Sequence, residues 1–138
     1  MKLHQTSLKL NPYTRGFHLI TFEIEKLLLQ YWISVGTITV FIKHTSASLS
    51  INENADPSVR KDMESFYNDI ADNKEYYIHT YEGDDDMPAH IKSSILGQSL
   101  TIPITDNKLN LGVWQGIYLG EHRNKASSRE LVVTIIGE

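Results

Sequence analysis

The sequence predicts an α+β fold: a mostly antiparallel sheet sandwich of about seven strands with two or three flanking helices. Three observations carry it. Residues 37–44, TITVFIKH, are β-branched and aromatic, the mark of a strand. Asp56-Pro57 pairs an N-cap acid with a proline at the first helical position, and Val59, Met63, Phe66, Tyr67 and Ile70 then recur at helical spacing as an expected buried stripe. The final third of the chain is strand-rich. The 138 residues suit one domain, 1–138, large enough for its own core.

The elements follow in order. Residues 2–10 alternate apolar and polar and read as a strand, closed by an Asn11-Pro12 turn. Gly16 to Ile20 make a second short strand. Thr21 is placed to cap a helix over 22–32, with Ile24, Leu27, Leu28 and Tyr31 on one face. Gly36 punctuates the chain before the 37–44 strand. Ile38, Val40, Ile42 and His44 share a face of that strand, so His44 ends an apolar face. Residues 44–56 read as a polar connection to the helix over 57–71. Residues 76–80, YYIHT, suggest a short strand. A helix from Pro88 to Leu96 closes at Gly97. Leu100–Ile104, Val113–Glu121 and Leu131–Ile136 are strands, with Asp106-Asn107 a turn and Asn124–Ser128 a hairpin loop.

Composition narrows the function. Thirteen basic residues against 17 acidic leave no basic stripe of the kind that binds nucleic acid. No apolar run approaches a membrane span, and residues 1–11 lack the apolar core of a secretory signal, so a soluble cytoplasmic protein is expected. There is no cysteine. Disulfides, thiolate metal sites and cysteine nucleophiles are therefore excluded, and any metal must sit on imidazole, carboxylate, carbonyl or water. Six histidines become the residues to follow.

Four segments are dense in polar groups directly beside a predicted element. In HTSASLSINENAD (44–56), His44, Ser46, Glu53 and Asp56 offer donors and acceptors; Asp56 also serves as a cap. In EGDDDMPAHIK (82–92), three aspartates repel unless a cation, a helix N-terminus or basic groups offset them. Asp86 and His90 lie one turn apart, which suits either a metal site or an Asp-His pair. In NLGVWQGIYLGEHR (110–123), Trp114, Gly116, Tyr118, Gly120 and His122 share a face, and Gly116 and Gly120 mark a bulge or a close approach by a ligand or another backbone. In NKASSRE (124–130), Lys125 and Arg129 suit an anion. His44, His90 and His122 each lie at an element boundary. Three imidazoles with an open position make a catalytic zinc-type site; with Asp84–Asp86, a magnesium–diphosphate arrangement is the alternative. His4, His18 and His79 lie in less polar surroundings and read as structural.

The blocks HTSASLSINENADPSVRKD, EGDDDMPAHIK and LNLGVWQGIYLGEHR resemble the three signature blocks of the YjbQ-like family, over essentially the whole chain. One departure is Val113, where that family commonly has threonine in a G-T-W-Q run. The resemblance implies a YjbQ-like fold, a homotrimer with clefts near its interfaces, and a secondary thiamine-phosphate synthase activity. That reaction joins hydroxymethylpyrimidine diphosphate to thiazole phosphate and releases diphosphate. On the matched blocks, His44, Glu53, Asp56, Asp86 and Gln115 are candidate catalytic residues, joined by Arg129 of the NKASSRE segment. Ser46, Trp114 and Arg123 are candidates for holding the phosphorylated ligand, with Trp114 or Tyr118 stacking on its ring. His44, His90 and His122 are candidate ligands of a divalent metal, zinc or magnesium. A metal-dependent phosphoester or diphosphate hydrolase, and a non-catalytic metal- or anion-binding trimer, remain as alternatives.

Overall fold

A computed structural model describes residues 1–138. Two antiparallel sheets stack face to face. The larger has strand order β1-β8-β3-β5-β6: β1 Lys2–Lys9, β8 Glu130–Gly137, β3 Val35–Ile42, β5 Ser99–Thr105 and β6 Lys108–Leu109. The smaller has order β2-β7-β4: β2 Gly16–Leu19, β7 Gln115–Glu121 and β4 Ala47–Glu53. The expected α+β sandwich is thus the observed architecture. No helix is long and apolar enough to cross a membrane.

Strand alternation builds the core. Ile38, Val40 and Ile42 of β3, Ile102 and Ile104 of β5, and Leu131, Val133 and Ile135 of β8 point inward. They meet Ala47 and Leu49 of β4 and Ile117 and Leu119 of β7. The α1 helix, Thr21–Leu28, closes one end with Ile24, Leu27 and Leu28. Truncating a fully buried isoleucine such as Ile38 costs about 2–5 kcal/mol, the lost transfer energy plus the cavity. Two further helices, α2 Pro57–Ala71 and α3 Asp86–Leu96, lie against the three-stranded sheet: α2 meets β2, and α3 meets β4.

Several expectations are corrected. The connection 44–56 contains β4: Ala47 and Leu49 alternate with Ser48 and Ser50, and small residues on both faces hid the period. Residues 76–80 form no strand. Ile78 is 93% exposed, and β propensity has no effect without a partner strand and a face to bury. The first helix ends at Leu28, where the Gln30 and Tyr31 N–H groups turn to carbonyls three residues back. Thr21 makes no cap; its Oγ1 accepts from the Ile117 N–H at 2.9 Å. Gly36 lies inside β3, opposite Gly137, where the backbones approach too closely for a side chain. The helix over 57–71 forms as expected, capped by the Asp56 carboxylate on the Ser58 N–H at 2.9 Å. Its apolar stripe is not buried as expected: Phe66 is 58% exposed and Ile70 is in solvent too.

Candidate functional site

The start of α3 gathers the chemistry. Asp86, its first residue, is 1% exposed, and its carboxylate is pulled from two sides. Arg123 Nη1 donates to Oδ1 at 2.6 Å. His79 Nε2 lies 2.6 Å from Oδ2, and His90 Nε2 lies 3.1 Å from the same oxygen. Helical geometry supplies one of these contacts, because Asp86 and His90 are four residues apart. The loop 72–85 returns the other from outside the helix. The ligand atoms of His79, Asp86 and His90 all lie within 4.8 Å of one another.

Hydrogen bonding fixes the His90 ring. Its Nδ1–H donates to the Thr45 carbonyl at 2.8 Å. A carbonyl only accepts, so the neutral ring turns its Nε2 lone pair toward Asp86 Oδ2. Acceptor then faces acceptor. Either a second proton on the ring or a cation between the groups resolves the conflict. A metal-bound histidine shows the same pattern, with its other ring N–H held by a carbonyl. Two imidazole nitrogens and one carboxylate, with both rings partly exposed, form a donor set suited to zinc with open positions. Magnesium prefers oxygen ligands alone and fits these residues poorly.

The acidic run divides its tasks. Asp84 is exposed. Asp85 accepts from Arg123 Nε at 3.0 Å and from the Asn124 N–H at 2.7 Å. Burial would raise both the Asp85 and Asp86 carboxyls. For Asp85, the Asn124 N–H and Arg123 outweigh that burial. For Asp86, the His79 hydrogen bond and the charges of His90 and Arg123 do so. Both are held below the usual carboxylate range.

The expected His44–His90–His122 trio is not assembled within the chain. His44 Nε2 accepts from the Glu130 N–H at 2.9 Å, so that lone pair is already engaged. His122 is 1% exposed, with Nε2 2.8 Å from Ser48 Oγ. Burial, reinforced by the charges of Lys92, Arg129 and Arg15, pushes the His122 pKa down to about 3. The ring packs over Gly120, where any side chain would overlap Ser48 and the imidazole. His79, expected to be structural, takes its place beside Asp86 and His90.

The other expected site residues are bound into the framework. Arg129 donates from Nε to Glu121 Oε1 at 2.7 Å and from Nη2 to Ser46 Oγ at 3.0 Å, which closes a buried network. Arg123 also donates to the Glu82 carbonyl at 2.8 Å. Arg123 is engaged through all three nitrogens, and Arg129 is ion-paired with Glu121 and 8% exposed, with only its Nη1 unpartnered. Glu53 accepts from the Asp56 N–H at 2.8 Å, and Gln115 from the Gly112 N–H at 2.8 Å. Asn54 donates to the Val113 and Gln115 carbonyls. These contacts stitch the 53–56 and 112–115 loops together and leave Trp114 63% exposed at their tip. The buried side of α3 adds one cation that sequence reasoning missed: Lys92, 1% exposed, donates to Asn68 at 2.7 Å and Asp72 at 2.9 Å.

Comparison with known proteins agrees with this fold. The model for UPF0047 protein YjbQ-like matches residues 6–138. UPF0047 protein YjbQ of Salmonella typhimurium is 48% identical over 136 residues, covering 98% of this chain and 99% of that one. A UPF0047 protein of Synechocystis is 40% identical over 136 residues, covering 98% and 92%. Among solved structures, a YjbQ/UPF0047 family protein of Clostridium acetobutylicum superposes with TM-score 0.82 at 38% identity, covering 96% and 99%. A protein of unknown function from Sulfolobus solfataricus superposes with TM-score 0.89 at 24% identity, covering 99% of each chain. The chain belongs to the UPF0047 YjbQ-like family.

Proposed function

We propose that this protein is a metal-dependent enzyme acting on a small phosphorylated substrate, with its cation on His79, Asp86 and His90. The observation that carries this reading is the His90 ring: its proton is committed to Thr45 and its lone pair is aimed at a buried carboxylate. A bound divalent cation would polarise a phosphoryl oxygen or generate a nucleophilic water there. The chain's own residues do the rest. Thr45 fixes the His90 tautomer, and Arg123 holds Asp86 in place from its second oxygen.

Transfer of the thiamine-phosphate synthase type is the first reaction to test, because the sequence blocks point to it. Release of diphosphate needs charge neutralisation at the leaving oxygens. With Arg123 and Arg129 engaged, that task falls to the cation site. The same engagement favours a second reading, a phosphoester or diphosphate hydrolase, which needs only the metal and a water. The zinc-loaded protein should form thiamine phosphate from the two precursors, and chelation should abolish it. Phosphate release from simple esters without synthase activity would select the hydrolase. Bound metal with neither activity would contradict both. The reading includes a homotrimer, so sedimentation should give three times 15.8 kDa.

A further inference from the structure

The end of β3 and the outer face of α3 enclose an open cleft of about 770 Å³. Phe41–Thr45 form one wall, and His90, Ser93, Ser94 and Gln98 the other. His90 joins the cleft to the histidine–carboxylate trio. Two of its polar groups are engaged elsewhere: Ser93 Oγ donates to the Ala47 carbonyl at 2.8 Å, and Gln98 Nε2 to the Ser93 carbonyl at 3.3 Å.

The remaining groups are different. His44 accepts a backbone N–H at Nε2, so the neutral ring carries its proton on Nδ1, which has no partner in the protein. The Thr45 and Ser94 hydroxyls are on exposed residues with no side-chain partner. Lys43 is half exposed and only loosely tied to Glu130, at 3.5 Å. One ring N–H, two hydroxyls and one ammonium therefore border a cleft that no carboxylate lines. Burial and the Arg129 charge also lower the His44 pKa, keeping the ring neutral near pH 7. Phe41 adds an apolar wall for the organic part of a ligand.

We propose that this cleft receives the phosphate group of the substrate, with the His44 Nδ1–H as its fixed donor and Lys43, Thr45 and Ser94 around it. The proposal rests on the functional reading above for the substrate class. It moves phosphate binding away from Arg123 and Arg129, where the sequence placed it. It also makes His44 a substrate-binding residue and not a metal ligand.

The test uses chelator-treated protein, so that it does not depend on the metal site. Inorganic phosphate and methyl phosphate are titrated into protein labelled with 15N-histidine, with acetate as control. The His44 Nδ1 resonance should shift saturably with both phosphates and not with acetate. His44→Ala removes the cleft donor, together with the acceptor for the Glu130 N–H. It should weaken phosphate binding by about tenfold in calorimetry, at a modest cost in thermal stability. Should that variant not fold, Ser94→Ala and the wild-type titration decide. Unmoved His44 resonances, wild-type affinity in a folded variant, or equal binding of acetate would overturn the proposal. Loss of zinc binding in His79→Ala is a separate result, so the two readings fail separately.

Discussion

Two polar regions flank α3, and they use similar residues to opposite ends. On the buried side, Arg129, Glu121 and Ser46, then Lys92, Asp72 and Asn68, pair every charge with a partner. At the helix start, His79 and His90 converge on one oxygen of Asp86 with a lone pair misdirected. A saturated network rigidifies a fold and holds nothing else. A half-satisfied cluster at the surface is where a ligand completes the hydrogen bonding. The difference separates framework from site more sharply than residue type does: a histidine occurs in both, and only its partners tell them apart.

Breaking each region should therefore produce a different loss. The largest stability effect belongs to the closed network. Arg129→Ala leaves Glu121, fully buried, without its counter-charge, and should cost about 3–5 kcal/mol in chemical denaturation. His79→Ala should do the reverse. Its side chain is 44% exposed, so stability should stay within about 0.5 kcal/mol, while zinc affinity falls more than about 100-fold by calorimetry. Equal loss of stability and metal in both variants would erase the distinction.

The pH dependence sharpens it further. His122 in the unfolded chain titrates at its ordinary 6.5, and in the fold only at about 3. Between these values the unfolded state binds the extra proton, so stability rises with pH. It is fully present above 6.5 and is lost as pH falls toward 3, by up to about 1.4 kcal/mol per unit. His44, shifted in the same direction, adds a share. His122→Gln, which keeps a partner for Ser48, should flatten the slope between pH 4 and 6.5. An unchanged slope would mean that His122 is not buried neutral. Asp56→Ala should touch neither region, costing about 1 kcal/mol from the lost cap with zinc affinity unaltered.

Much of the fold was legible because it rests on local rules. The β-branched run at 37–44, the Asp56-Pro57 cap and the alternation of 131–136 each declare an element without reference to the rest of the chain. β4 was not legible, because Ala47 and Ser48 are small on both faces, and what selects a strand there is pairing with β7. The site was half legible. The Asp86–His90 turn is written in the helical period, and at Gly120 the space is taken by the Ser48 and His122 side chains, not by the bulge, ligand or backbone that the glycine suggested. His79 was missed because YYIHT resembles a strand; in the fold it is a loop that carries the imidazole back to the helix start. Arg123 and Arg129 looked like anion ligands because sequence shows their charge and not the carboxylates across the fold that neutralise it.

The proposed metal centre of His79, Asp86 and His90 is open to direct observation. A crystal grown with zinc, with anomalous data collected on both sides of the zinc edge, tests it most directly. A zinc peak is expected at about 2.0–2.2 Å from His79 Nε2, His90 Nε2 and an Asp86 oxygen. A peak held by His44 or His122, or full zinc in solution with no peak at this trio, would contradict it.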